Sequence, residues 1–431
     1  MIDLTNGAVP ANPSFGAALR VWLRIGLLSF GGPTAQIALM HREVVEERGW
    51  LSEDQFLNGL NFCMLLPGPE AMQLATYSGW RLHGFAGGLA AGLLFVLPGA
   101  AVMLALAALY AAFGEVPLVD ALFLGVKAAV VVIVIEALLR VARRTLKSAL
   151  HWWVAGLAFV AIFVLALPYP LIILAAALLG LAQPVGPDAS PVPTTTAPRL
   201  GGTLATVSVW FVLWWTPVLA AALLDPGGMM QQIGVFVSKL AVVTFGGAYA
   251  VLAYMAQDVV AQQGWLTTGE MMDGLGLAET TPGPLILVTE FVGFLAAWKV
   301  GGLAGGVAGA AMALWVTFAP CFLWIFAGAP YIDWLSGRRR LRQALSMVTA
   351  AVVGVILNLS LWFAMHVFFD RVGQLEFLGL RVAWPDPASL NIPAVLLFAV
   401  AAVLAFRFHF GIAKVLAVAA IGGVAIQAVG L

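Results

Sequence analysis

Charge is what this sequence has least of. Of 431 residues, 10% are charged and 62% hydrophobic, and the mean hydropathy is +0.99. A soluble domain carries about 25% charged and 45–50% apolar residues. The chain therefore lacks the polar surface needed to wrap a water-soluble core, which excludes a cytosolic enzyme, a disordered chain and a nucleic-acid binder. Cysteine is nearly absent too: Cys63 and Cys321 both fall in apolar runs, where a buried free thiol is the plain expectation. The five histidines are scattered, with no HxxxH or CxxC, so no metal site is expected. No GxxxxGK[ST] loop marks an ATPase, and no cofactor is expected. The N-terminus has no cleavable-leader pattern, since its first apolar run is long and carries Arg20 and Arg24.

What the sequence has is long apolar runs without alternation, the mark of helices rather than a barrel. About thirteen runs are readable, near 15–40, 56–80, 85–113, 117–139, 152–167, 170–183, 204–224, 229–255, 271–298, 301–328, 343–368, 393–407 and 410–431. The expected fold is an all-α integral membrane protein.

The chain also repeats itself. Phe30-Gly31-Gly32 returns as Phe245-Gly246-Gly247, Gly49-Trp50-Leu51 as Gly264-Trp265-Leu266, and Pro67-Gly68-Pro69 as Pro282-Gly283-Pro284, all at an offset of 215. Between Phe30 and Pro69, 16 of the 40 aligned positions are identical, a strong sign of internal duplication. The expected organisation is an N-terminal repeat (1–183), a linker plus one topology-inverting helix (184–228) and a C-terminal repeat (229–431). About six runs per half plus one extra helix predict two inverted repeats, a transporter layout. If every run crosses the membrane, 14 basic residues fall on the N-terminal side and 6 on the other. Many acidic residues, Glu43, Glu46, Glu47, Glu53 and Asp54 among them, then fall on that other side. The bias puts the N-terminus in the cytoplasm and the C-terminus outside.

Candidate chemistry gathers at the repeated motifs. Pro-Gly-Pro inside an apolar run cannot hold a continuous helix, so each segment reads as two half-helices or a re-entrant hairpin, with a plain kink as the alternative. Such irregular backbone is tolerated at membrane depth only where it is buried in protein or lines a cavity. The half-helices that start at Pro69 and Pro284 aim free N–H groups into that space. Phe-Gly-Gly, preceded by Ser29 and Thr244, reads as a second break or a packing notch. Small polar groups surround the breaks: Asn61, Gln73, Thr76, Thr280, Thr281 and Thr289. Arg24 aligns with Lys239 just before each Phe-Gly-Gly; the pair would bind an anion or snorkel to headgroups. Glu70, Glu279 and Glu290 are ionisable groups in apolar runs, where charge marks a pathway or proton relay. Trp50 and Trp265 read as interfacial elbows. N–H dipoles, hydroxyls and basic residues at one depth suit an oxyanion.

Phe-Gly-Gly, Gly-Trp-Leu and Pro-Gly-Pro, duplicated in this order, resemble the chromate ion transporter family of the long-chain, two-domain type. The likeness runs from about Leu19 to the C-terminus. It implies export of chromate, or of a similar tetrahedral oxyanion such as sulfate, across the bacterial cytoplasmic membrane. It further implies that export is driven by the membrane potential or the proton gradient and confers chromate resistance. Phe30, Gly31, Gly32, Pro67, Gly68, Pro69 and Glu70 match the motifs of the first half, and Phe245, Gly246, Gly247, Pro282, Gly283 and Pro284 those of the second. Glu70 aligns with Leu285, so an asymmetric site is expected. The partners implied are the oxyanion and the bilayer, and a homodimer is compatible with them. The other readings are a passive anion channel and a sulfate uptake carrier.

Overall fold

The computed structural model describes residues 13–114, 116–184, 200–245, 248–332, 339–377 and 380–429. The first half opens with α1 (Phe15–Leu28) and α2 (Gly32–His41), then a π-helical turn (Arg42–Glu46) and α3 (Glu53–Cys63). There follow α4 (Glu70–Phe113), α5 (Pro117–Thr145), α6 (Ala149–Phe163) and α7 (Tyr169–Ala182). The connecting helix is α8 (Leu200–Leu224). The second half repeats the opening pattern with α9 (Met229–Val243), α10 (Ala248–Gln257), a π turn (Asp258–Gln262) and α11 (Thr268–Thr280). A short 3-10 turn (Leu285–Leu287) leads into α12 (Val288–Gly328), and α13 (Arg339–Phe368), α14 (Ile392–Ala402) and α15 (Ile412–Ala428) complete the chain.

Among the described residues, five segments are long and apolar enough to cross a membrane: Glu70–Phe113, Pro117–Thr145, Gly201–Leu224, Leu285–Tyr331 and Arg340–Phe368. Much of the outer surface is apolar, with Trp152, Trp153 and Leu223 more than half exposed, as a lipid-facing surface requires.

The longest two helices are hairpins. In α4 the helix breaks at His83 and Gly84, where Gly84 takes φ 61 and ψ −150, and in α12 at Gly301 and Gly302, where Gly302 takes φ 58 and ψ −151. The arms then run antiparallel in van der Waals contact. A Cβ on Gly79 would run into Gly87 and Ala91, and one on Gly293 would come within 2.6 Å of the Gly309 carbonyl oxygen. Only glycine permits backbones this close. Gly88 and Gly92 serve two contacts at once, Thr76 on the opposing arm and the Phe326 and Phe322 rings.

The shorter helices fold back in the same way. Gly59 on α3 faces the Tyr77 ring on the 70–82 arm, and Gly274 on α11 faces the Phe291 ring on the 288–300 arm. Each Pro-Gly-Pro thus sits at the tip of a helical hairpin, the re-entrant form of the two expected. α2 also turns back beside α1, because Arg24 reaches Glu43 at 3.6 Å. Capping boxes set both inward helices going: Ser52 with Gln55 for α3, and Thr267 with Glu270 for α11.

This return path corrects one expectation. The elbow holding Arg42, Arg48, Glu43, Glu46, Glu47, Glu53 and Asp54 lies at the end from which α1 starts, because the run over 15–40 doubles back at Phe-Gly-Gly. Glu43 there pairs with Arg48 at 2.7 Å, and His41 Nε2 lies 2.7 Å from Glu53. Hydropathy reports the length of an apolar run and says nothing of its direction.

The two halves run in opposite senses. The 85–113 and 303–328 arms cross antiparallel, with Phe85 against Phe326 at 4.5 Å between ring centroids. At the far end Tyr110, near the close of the first arm, bonds Asp273 on α11. α8 runs antiparallel to the 303–328 arm, joined by Thr203 to Tyr331 at 2.9 Å and by the Trp315 indole N–H to Leu213 O. One element departs from the all-helical reading. Strands Val372–Phe377 and Leu380–Pro385 pair antiparallel outside the apolar runs, with Val372 opposite Pro385, and the Arg371–Asp386 ion pair closes their base at 3.0 Å.

The hairpins depend on glycine contacts, so a bulky residue at one of them is expected to be far more costly than elsewhere. Gly293→Leu should destabilise the fold by about 1–3 kcal/mol or more, while Gly201→Leu, with nothing within 4 Å, should be silent. Thermal unfolding of the detergent-purified protein measures the difference.

Candidate functional site

Four helix breaks meet at the centre. The breaks at Ser29–Gly31 and at Thr244–Phe245 carry the two Phe-Gly-Gly motifs. Gly246 and Gly247 lie outside the described residues. Gly31 adopts φ 88, a left-handed conformation that ends α1 and starts α2. The Ser29 hydroxyl donates to Ile25 O and the Thr244 hydroxyl to Leu240 O, both at 2.5 Å. These hydroxyls are spent on the preceding helical turn, while the carbonyls point onward.

Each carbonyl is taken by the opposite half. The Gly283 N–H donates to Ser29 O at 2.8 Å, and the Gly68 N–H donates to Thr244 O at 2.8 Å. Phe-Gly-Gly of one half is thereby tied to Pro-Gly-Pro of the other. Gly68 (φ 119) and Gly283 (φ 88) hold left-handed backbone that aims their N–H groups across. The Gln36 amide, 1% exposed, spans the junction in the first half, donating to Gly283 O at 2.6 Å and to Ser29 O at 3.2 Å. Gln73 donates to Pro67 O at 2.7 Å.

Two helix N-termini open at this junction. Pro69 caps α4, whose first internal bond runs from Gln73 N to Pro69 O, so the Glu70, Ala71 and Met72 N–H groups point out of the helix start. Pro284 stands likewise before Leu285–Leu287, where Leu287 N bonds Pro284 O. Such ends attract anions. The gap lined by Gly68, Pro69, Thr244, Ile286, Thr289 and Thr317 measures only about 10 Å³, so no oxyanion fits there without opening. A wider cleft of about 590 Å³ reaches Phe30, Gly31, Glu279 and Thr280 from one side.

The remaining candidates divide. Glu279 lines the cleft and accepts from the Tyr249 hydroxyl at 2.9 Å. Glu290 is 1% exposed, and among the described residues neither carboxylate oxygen has a hydrogen-bond partner; its neighbour Thr289 lies 3.1 Å from the Thr317 hydroxyl. Glu70 stands at the α4 N-terminus with Arg144 the charge facing it. Thr280 and Thr281 turn their hydroxyls to Leu277 O and Ala278 O. Pro282 packs its carbonyl against Gly99.

Three candidates stand away from the junction. Asn61 is exposed on α3. Arg24 is engaged by Glu43. Lys239 lines a polar cleft of about 410 Å³ with Asp258, Gln231 and Gln263. Sequence reasoning missed Gln36 and Tyr249. Their repeat partners are Val251 and Thr34, so duplication could not flag them; a glutamine in an apolar run was the signal available for the first.

The family model described as "Chromate transporter" matches residues 17–181 and 231–426. The chain is 32% identical over 420 residues to a chromate transport protein of Pseudomonas aeruginosa, covering 92% of this chain and 94% of that one. It is 30% identical over 359 residues to a chromate transport protein of Cupriavidus metallidurans, covering 81% and 83%. A probable chromate transport protein of Synechococcus elongatus is 29% identical over 381 residues, covering 87% and 92%. No solved structure matches. With a family match across both halves and a relative of this identity along nearly the whole length, the chain belongs to the chromate transporter family and is a multi-pass integral membrane protein.

Proposed function

We propose that this protein exports chromate, or a similar tetrahedral dianion such as sulfate, by alternating access around the junction of the four breaks. The observation that carries the reading is the meeting of two helix N-termini with free N–H groups at backbone that the opposite half holds in place. In this reading residues 1–183 and 229–431 are the moving repeats, and 184–228 sets the second one upside down. The dianion is received by the N–H groups after Pro69 and Pro284, with Phe30–Gly32 and Phe245–Gly247 forming the opposing wall. Arg24 and Lys239 serve as outlying attractors. The N-terminus is cytoplasmic and the C-terminus external. In this reading the orientation follows from basic residues such as Arg20, Arg81, Lys147, Arg340 and Arg342 on the side where α1 begins.

The energetics favour export. Moving one charge through the membrane potential is worth about 2.3 kcal/mol per 100 mV, so a dianion leaving a negative interior gains about twice that, roughly 4.6 kcal/mol. Potential alone then suffices, and proton coupling is a second control supplied by Glu70, Glu279 or Glu290. Glu290 is the strongest of the three, because an unpaired buried charge costs several kcal/mol and its protonation would change with the state of the junction.

Chromate uptake by inside-out vesicles tests the reading. Flux should rise with an interior-positive potential and fall when sulfate competes. Glu290→Gln should keep potential-driven flux and lose its response to an imposed pH gradient. Potential-driven flux with channel-sized unitary conductance and no pH response in the native protein would indicate a passive pore instead. Glu70→Gln and Arg24→Ala together should lower flux about tenfold or more, the kinetic equivalent of one charge-assisted contact; unchanged flux in both would remove the proposed site. Gln36→Leu removes the side-chain donor to the Gly283 carbonyl and should cost about 1–3 kcal/mol of stability, read as a lower unfolding midpoint together with reduced flux.

A further inference from the structure

A buried ion pair between the halves lies outside the duplicated scaffold. Lys127 on α5 places Nζ 3.2 Å from Asp273 Oδ1 on α11, and the Tyr110 hydroxyl donates to Asp273 Oδ2 at 2.8 Å. Asp273 is 4% exposed. Its repeat partner is Asn58, so no matching acid stands in the first half. As a fastener the pair is a poor choice, because a buried ion pair is often no better than a well-packed apolar pair.

Its position suggests another use. α11 runs from an outer vestibule of about 510 Å³, lined by Thr267, Glu270 and Lys299 with Tyr110 opposite, to the cleft of about 590 Å³ that reaches Glu279 and Thr280. Asp273 sits between the two, three residues from Glu270 and three from Gly276. Lys127 spans the same wall. A Cβ on Gly269, next to the vestibule, would stand 3.8 Å from its Nζ, while its neighbour Val126 lines the inner cleft. At the mouth Lys299 is held in the same manner by Glu270 at 2.8 Å. Two lysines, each occupied by a carboxylate, are therefore staged along one helix from solvent toward the breaks.

We infer that Lys127 is a transit subsite for a tetrahedral dianion, with Asp273 as the resident carboxylate that holds the ammonium until the dianion displaces it. Tyr110 anchors Asp273 and sets how readily it lets go. The inference rests on the oxyanion transport reading. A carboxylate and a sulfate oxygen compete for the same ammonium hydrogens, so removing the resident acid strengthens anion binding while removing the lysine weakens it. A structural fastener would respond with the same sign to both losses.

Sulfate binding by the full chain in detergent, measured by calorimetric titration, separates the cases. Asp273→Asn should bind sulfate about five- to tenfold more tightly than the native protein, and Lys127→Gln more weakly by at least as much, tenfold being 1.4 kcal/mol. Tyr110→Phe, which keeps the ion pair, should tighten binding by a smaller factor and provides the reading if Asp273→Asn fails to fold. Lys127→Arg should retain binding. Native binding with no change, or with changes of one sign in the acid and lysine variants, overturns the subsite and leaves the transport reading standing. Absence of both sulfate and chromate binding in the native protein overturns the transport reading itself and the subsite with it.

Discussion

Two backbone hydrogen bonds, Gly283 N–H to Ser29 O and Gly68 N–H to Thr244 O, each 2.8 Å long, are the constraint on which the rest of this structure depends. A helix broken inside an apolar protein leaves orphan donors and acceptors, and each orphan there costs several kcal/mol. Each half relies on the other at its breaks. Phe-Gly-Gly exposes a carbonyl and Pro-Gly-Pro an N–H, and each finds its backbone partner across the pseudo-twofold relation, with Gln36 adding a second donor to Ser29 O from within the first half. Inversion is therefore more than a topological habit here: the two repeats must face one another for the breaks to be tolerable.

The same constraint explains the glycine distribution. Breaks must lie side by side at one depth, so the hairpins that carry them must pack tightly against each other and against the long arms. Gly79 against Gly87, and Gly293 against Gly309, bring the arms together, and Gly84 and Gly302 turn the chain between them with nearly identical dihedrals. Where duplication is strict, it serves this frame. Where it lapses, at Gln36, Glu70, Tyr249 and Glu290, polar groups gather on or beside the breaks, and at Asp273 one stands farther out along α11. A frame can be symmetric while the polar groups it carries are not.

Much of the frame was legible in the sequence, because Pro-Gly-Pro and Phe-Gly-Gly act through local backbone rules that hold wherever they occur. The breaks follow from those rules, while the inverted halves were read from the odd helix that separates two repeats. The direction of each short run was not legible. A run such as 15–40 is long enough to cross, and only the contact between Arg24 and Glu43, or between Gly59 and Tyr77, reveals that the chain turns back. The acidic elbow was misplaced for that reason. At the junction, the sequence pointed to the motif residues but not to the side chains that bond them. Gln36 and Tyr249 have no repeat counterpart of their kind, and the pairing of Lys127 with Asp273 joins positions 146 residues apart in sequence.

The closed junction also constrains how transport proceeds. The gap beside Thr289 and Thr317 is about 10 Å³, at the lower limit for a single water and far too small for a four-oxygen dianion. In the proposed cycle the substrate separates the breaks to enter, and separation would strip both 2.8 Å bonds together if the halves parted as rigid bodies. Losing two buried hydrogen bonds without replacement costs about 2–6 kcal/mol. That cost is offset if the dianion's oxygens accept from the freed Gly68 and Gly283 N–H groups, while water, admitted from the open side, meets the Ser29 and Thr244 carbonyls. An empty junction would then stay shut and a loaded one could rock, so the reciprocal bonds that make the breaks tolerable would also keep the empty protein from leaking ions.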